Sequence, residues 1–423
     1  MQTVKIYPCG LRLIHDYMPE REVVNVSFFV ASGSGYDLPD KEGIAHFYEH
    51  IFFKSTKKRN CLQVNIDLDT LGAGGNAYTG QDRTCYFSKT TNSNVEALFD
   101  VLSDCFFNGL FLKEELQTEK GVVCSEIDRY EDEFLECGIE ALLGTMYKGT
   151  PFAHSILGDK KSVRSITAED LQEYREKNNC AEHLIISTAG GVPYERIEQL
   201  VDKYVLANFP KKHAVPKTYT HSTSEIITPK NFIWTKKDTE QLYFIQSTPT
   251  IRKDHPDFMK CQLASIMLGG TMSSRLFQRL RDKEGIVYAV QSVVDSLPLG
   301  GQFNNFFITN KETAEQAIKA YKHEIDLVLD SGFTEEEVSR GKILMKTNIE
   351  IADDNLDIRI KRNASSLLDK NKVYNMSDHI QAINDINVSE VNDFIKKILS
   401  DKNNLISVVS KENDIDILHL LKQ

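Results

Sequence analysis

Three stretches in the second half of this chain repeat stretches of the first at nearly one spacing. Asn25-Val26-Ser27-Phe28-Phe29 has a counterpart in Gln241-Leu242-Tyr243-Phe244-Ile245. Phe111-Leu112-Lys113-Glu114-Glu115-Leu116 is echoed by Phe333-Thr334-Glu335-Glu336-Glu337-Val338, and Ile166-Thr167-Ala168-Glu169-Asp170-Leu171 by Ile386-Asn387-Val388-Ser389-Glu390-Val391. The shifts are 216, 222 and 220 residues (241 minus 25, 333 minus 111, 386 minus 166). One match could be accidental, but three at nearly one shift point to duplicated domains. At 423 residues the chain is too long for one ordinary core and suits two domains of about 200 residues. Its composition turns polar between about 210 and 224, around Lys211-Lys212-His213 and Pro216, which assigns 1–212 to the first domain, 213–225 to a linker and 226–423 to the second.

Residues 4–15 and 23–31 read as two paired strands separated by Pro19-Glu20-Arg21-Glu22. A polar turn over 32–40 leads into a helix from Gly43 to Phe53, and a second helix runs from Leu62 to Leu71 and stops at Gly72. Residues 74–79 and 84–87 form the arms of a hairpin across Gly80-Gln81-Asp82-Arg83. Apolar spacing predicts helices over 94–108, 113–132, 167–177 and 193–204, with a strand over 184–188.

Net charge and export signals narrow the function. A charge of -11 argues against nucleic acid, which needs a basic footprint. No basic segment followed by an apolar run opens the chain, and nowhere do about 18 consecutive apolar residues occur, so neither a signal peptide nor a membrane span is expected. The eight cysteines include no C-x-x-C pair and read as free thiols in a reducing cytoplasm.

The chemistry is concentrated in His46-Phe47-Tyr48-Glu49-His50. On a helix, positions i and i+4 lie on one face, so the two imidazoles could share one ion. Glu49 lies between them in sequence, placed to face a water on that ion without being a ligand. Catalytic zinc commonly takes three protein groups, and Glu126, on the helix expected over 113–132, is the candidate third. Glu119 sits seven residues earlier on nearly the same face. Most helix glutamates simply face solvent, yet the repeat supplies a control. At the shifted positions it has Gly341 and Asn348, and its counterpart of the histidine segment, Ala264-Ser265-Ile266-Met267-Leu268-Gly269, has no histidine. Groups needed only for folding should recur in the second copy.

With Glu126 downstream, the H-x-x-E-H run resembles the inverted zinc motif of the pitrilysin or insulinase peptidases, the inverzincins of family M16. The likeness extends over nearly the whole chain, through Gly74 to Thr79, the Glu119 and Glu126 pair, Ser274-Arg275-Leu276 and the run from Arg281 to Tyr288. It implies an α+β fold of two duplicated α/β sandwich domains, each an antiparallel-rich sheet packed with helices, of the LuxS/MPP-like type. It further implies one zinc ion per chain on His46, His50 and Glu126, with Glu49 as general base and Glu119 orienting a ligand histidine. Arg281 and Tyr288 would hold the substrate from the second domain, and the Gly75, Asn76 and Ala77 edge would pair with an extended peptide as an added strand. The activity implied is zinc metallopeptidase action on short or unfolded peptides held in a chamber. The alternatives are a maturation protease for one precursor and a non-catalytic structural subunit. Because the zinc ligands and the Arg and Tyr occur in one chain, a homodimer or a self-sufficient monomer is expected, with a heterodimer with a related chain as the alternative. No nucleic-acid or membrane partner is expected, and the expected compartment is the cytoplasm.

Overall fold

Runs rich in β-branched and aromatic residues form the strands of two sheets. The computed structural model describes residues 2–209, 232–401 and 403–422, and the linker expected at 213–225 lies outside them. The first half contributes β1 (Gln2–Ile6), β2 (Arg12–Tyr17), β3 (Val23–Val30), β4 (Asn76–Thr79), β5 (Thr84–Thr91) and β6 (Leu184–Gly190). From the second come β7 (Phe232–Lys236), β8 (Gln241–Thr250), β9 (Ala289–Leu297), β10 (Gly300–Asn310) and β11 (Leu405–Ser410). The sheets are ordered β1-β2-β6-β3-β5-β4 and β7-β11-β8-β10-β9. Apart from the additional β1 they share one plan: β6 runs parallel to β2 as β11 does to β7, and the remaining neighbours are antiparallel.

The repeat holds at the level of register. Phe28 faces Ile186 in the first sheet and Phe244 faces Val408 in the second, with both phenylalanines fully buried. These pairs are shifted by 216 (244 minus 28) and 222 (408 minus 186). The repeated helix starts at 166 and 386 are also alike, since Thr167 with Asp170 and Asn387 with Glu390 each form a capping box.

The strand expected over 4–15 is instead a hairpin of β1 and β2. Pro8 has no N–H to give a ladder, and Gly10 turns the chain at φ +91°. Nor does this segment pair with β3, because β6 lies between β2 and β3. A parallel strand arriving from residue 184 leaves no local mark on the strands it separates. The helices expected first form as α1 (Ile44–Ile51), α2 (Cys61–Thr70), α3 (Val95–Asn108) and α4 (Lys113–Glu131). Those expected over 167–177 and 193–204 form as Ala168–Asn178 and Tyr194–Tyr204, and the 74–87 hairpin as β4 and β5.

Two compact units result, and neither is continuous in sequence. One runs to Asp128, resumes at His154 and adds Ile351–Tyr374; the other takes Arg129–Ala153, the described chain up to Glu350, and the chain from Asn375 onward. In the first unit, helix Leu356–Lys370 presents Leu356, Ile360, Ala364 and Leu367 to Ile14, Phe29 and Ile185 of the sheet. That spacing of three and four residues is the stripe a helix must bury, and each large apolar side chain so covered contributes about 1.5–3 kcal/mol. Arg359 reaches Asp16 at 2.6 Å and Arg83 reaches Asp369 at 3.0 Å, which fixes the same helix at both ends. In the second unit α5 (Phe134–Met146) lies on β8 and β11. Gly138 permits that approach, since a Cβ there would stand 2.4 Å from Ile245 Cδ1 and 3.1 Å from Val409 Cγ2. Among the described residues no helix is long and apolar enough to cross a membrane. All eight cysteines are free thiols.

Candidate metal centre

Helix α1 begins at a point that only glycine fits. Gly43 has φ +89°, and a Cβ on it would lie 2.3 Å from Leu157 O. The half-buried Asp37 accepts N–H bonds from Gly43 at 2.6 Å and Ala45 at 3.0 Å on its carboxylate, satisfying donors that the helix start leaves unpaired. Burial pushes this carboxyl well above the usual carboxylate range, against the pull of the two backbone bonds. With Ile44, Phe47 and Ile51 in the core, His46 and His50 stand one turn apart, their ring centroids 4.7 Å from each other.

Helix α4 buries Leu116, Val123 and Ile127 and turns carboxylates toward α1 and the loop after it. Glu115 anchors that loop, accepting from Ser55 Oγ at 2.6 Å and Ser55 N at 3.2 Å. One turn on, Glu119 Oε2 lies 3.3 Å from His50 Nδ1, and its Oε1 lies 2.6 Å from Lys54 Nζ. Two turns further, Glu126 Oε2 stands 3.2 Å from His50 Nε2 and 3.7 Å from His46 Nε2.

Whether these groups suit zinc can be tested on their spacing. Zinc bonds of about 2.0–2.1 Å at tetrahedral angles place neighbouring donors about 3.3 Å apart. The 3.2 and 3.7 Å separations bracket that value, and the donor atoms of His46, His50 and Glu126 all lie within 4.8 Å of one another. Burial, with His50 beside it, pulls the pKa of His46 down to about 3, which keeps the ring neutral as a ligand must be. His50 needs its proton on Nδ1 to leave Nε2 bare, and Glu119 is the acceptor that selects this tautomer. The donor set fits zinc.

Glu49 lies one residue from His50, and its Oε2 accepts a bond from Thr79 Oγ1 at 2.5 Å. Burial raises its pKa, as does the nearby Glu126, while the Thr79 bond and His50 oppose the rise. The structure therefore brings His46, Glu49, His50, Glu119 and Glu126 together. Asn76 and Ala77 open β4, the edge strand of the first sheet, whereas Gly75 precedes the strand and abuts Phe53. Arg281 and Tyr288 belong to the second unit. There Arg281 Nη1 donates to Tyr288 O at 2.6 Å, and the exposed Tyr288 ring donates its hydroxyl to Asn310 Oδ1 at 3.1 Å.

Sequence reasoning missed Asp37, Lys54, Thr79 and Glu115. Glu115 had a legible signal, since it shares a helix face with Glu119 at one-turn spacing, but the other three act from loops or from the hairpin across the site. At the position corresponding to Glu119, the second unit has Gly341, where a Cβ would meet Leu263 Cδ1 at 2.5 Å and Met267 Cγ at 3.3 Å. Direct apolar packing fills the place where the first unit sets a carboxylate against an imidazole.

Comparison with known proteins gives concordant matches. The family model described as Insulinase (Peptidase family M16) matches residues 12–160, and that described as Peptidase M16 inactive domain matches residues 165–345. A Bacillus subtilis (strain 168) relative named uncharacterized zinc protease YmxG is 27% identical over 400 residues, covering 94% of this chain and 96% of its own. A Rickettsia bellii (strain RML369-C) relative named uncharacterized zinc protease is 30% identical over 348 residues, covering 81% and 82%. A solved structure described as a protease from Helicobacter pylori superposes with a TM-score of 0.87 at 19% identity, covering 97% of this chain and 99% of that one, a likeness of fold.

Proposed function

Because this chain belongs to peptidase family M16, we propose that it is a zinc-dependent metallopeptidase hydrolysing peptide bonds of short or unfolded peptides. The observation that carries the reading is the convergence of His46, His50 and Glu126 at zinc spacing, with Glu49 beside them. Names of relatives as zinc proteases support it.

His46, His50 and Glu126 would hold one zinc ion per chain, and that ion supplies Lewis acidity toward a carbonyl and a water. Glu49 takes the proton of the attacking water on its carboxylate and returns it to the leaving amine. A carboxylate suits both transfers, since it can accept a proton and release it again. Glu119 holds the His50 tautomer and orientation. The substrate runs extended along β4, whose place at the sheet edge supports strand addition at Asn76 and Ala77. Arg281 and Tyr288 hold the peptide, a role supported by the exposure of the tyrosine ring and by the family resemblance. The presence of the zinc ligands and of Arg281 and Tyr288 in one chain favours a homodimer or a self-sufficient monomer as the acting species.

The test is zinc content per chain followed by cleavage of a peptide library by the wild type and by Glu49→Gln. Stoichiometric zinc in both, with turnover in the variant reduced by roughly 100- to 10,000-fold, is the expected result. Zinc-free protein that cuts no peptide, or a variant as active as the wild type, would overturn the proposal.

A further inference from the structure

We propose that Thr79 is a positioning residue for the reaction, holding the Glu49 carboxylate in the orientation from which it can work; the inference rests on the metallopeptidase reading. Thr79 closes β4, and successive side chains of a strand point to opposite faces. Tyr78 accordingly turns its ring to Lys361, whose Nζ stands 4.7 Å from the ring centroid, while Thr79 turns toward α1. Its hydroxyl meets Glu49 Oε2 at 2.5 Å. A β-branched side chain on a strand has little rotamer freedom, so this donor is held in place before substrate arrives. The bond takes Oε2 and leaves Oε1 for the reacting water.

Location gives the contact a second meaning. Asn76 Oδ1 accepts the Ala77 N–H at 2.8 Å, so the side chain at the start of β4 takes up a backbone donor of this edge strand. A peptide pairing along β4 would order the same four residues, Asn76 to Thr79, that end in the donor to Glu49. Substrate seating and base orientation therefore share one short piece of backbone.

The experiment compares Thr79→Val, which keeps shape and loses the donor, with Thr79→Ser, which keeps the donor. Displacement of a catalytic group by about 1 Å can cost roughly 100-fold. Thr79→Val should keep stoichiometric zinc and a KM within about twofold of the wild type while kcat falls roughly 10- to 100-fold. Thr79→Ser should restore most of kcat, and Thr79→Ala serves as the donor-free variant if valine unfolds the protein. A crystal structure of the zinc-loaded donor-free variant should show the Glu49 carboxylate moved from its wild-type position. Unchanged kcat, a loss confined to KM, or an unmoved carboxylate would each overturn the inference. Should the zinc-loaded wild type cut no peptide, the metallopeptidase reading falls, and the carboxylate position still decides whether Thr79 holds Glu49.

Discussion

Glu119 touches no substrate in this reading, yet its removal should be measurable as lost zinc affinity. The residue is 8% exposed and divides its two side-chain oxygens between Lys54 Nζ at 2.6 Å and His50 Nδ1 at 3.3 Å. An outer hydrogen-bond partner of a metal-binding histidine is worth roughly 10- to 100-fold in metal affinity, or about 1.4–2.7 kcal/mol. Glutamine at 119 retains an acceptor for His50 but loses the charge, and charge-assisted bonds are about twice as strong as neutral ones. Glu119→Gln therefore belongs near the tenfold end and Glu119→Ala near the hundredfold end. Competition against a chromophoric zinc chelator reads this directly in wild type, both variants and Glu49→Gln, whose affinity should stay at the wild-type level. An alanine variant that binds zinc within about twofold of the wild type would refute the reasoning.

Two further outcomes concern stability. Asp37→Ala removes the acceptor for two N–H groups at the start of α1 and should cost about 1–2 kcal/mol, seen as a lower urea midpoint; an unchanged midpoint would refute the capping role. His15 is fully buried between Thr188 Oγ1 at 2.7 Å and Val192 O at 2.8 Å, and burial lowers its pKa to about 4. The unfolded chain therefore takes up this proton first, so stability is full above about pH 6.5 and declines as pH falls toward 4. The total is about 3 kcal/mol, and a His15→Gln protein with the same pH slope between 6.5 and 4 would remove the assignment.

Much of the fold is legible in local pattern because the halves were written twice. Matches between Asn25 and Gln241, Phe111 and Phe333, and Ile166 and Ile386 correspond to central strands, long helices and capped helices that recur in the two units. The candidate metal site was legible because its residues sit at fixed helical spacings, His46 to His50 and, on the facing helix, Glu119 to Glu126. The insertion of β6 was not, because alternation within β2 and β3 says which face is buried and nothing about which strand lies beside them. Thr79 was illegible for a similar reason. Its hydroxyl becomes functional only when the hairpin is laid against α1, and a threonine ending a strand needs no other explanation in sequence.

The late arrival of helix Leu356–Lys370 has a consequence for how the protein comes into being. All strands of the first sheet have been made by Gly190, but the helix that covers Ile14, Phe29 and Ile185 is complete only at Lys370, 180 residues later (370 minus 190). At about 5–20 residues per second, the nascent chain carries that apolar surface uncovered for roughly 10–40 s. Ribosome-bound intermediates of this protein should accordingly be clients for chaperones, and a message ending after the first repeat would yield an aggregating fragment instead of a smaller folded protein.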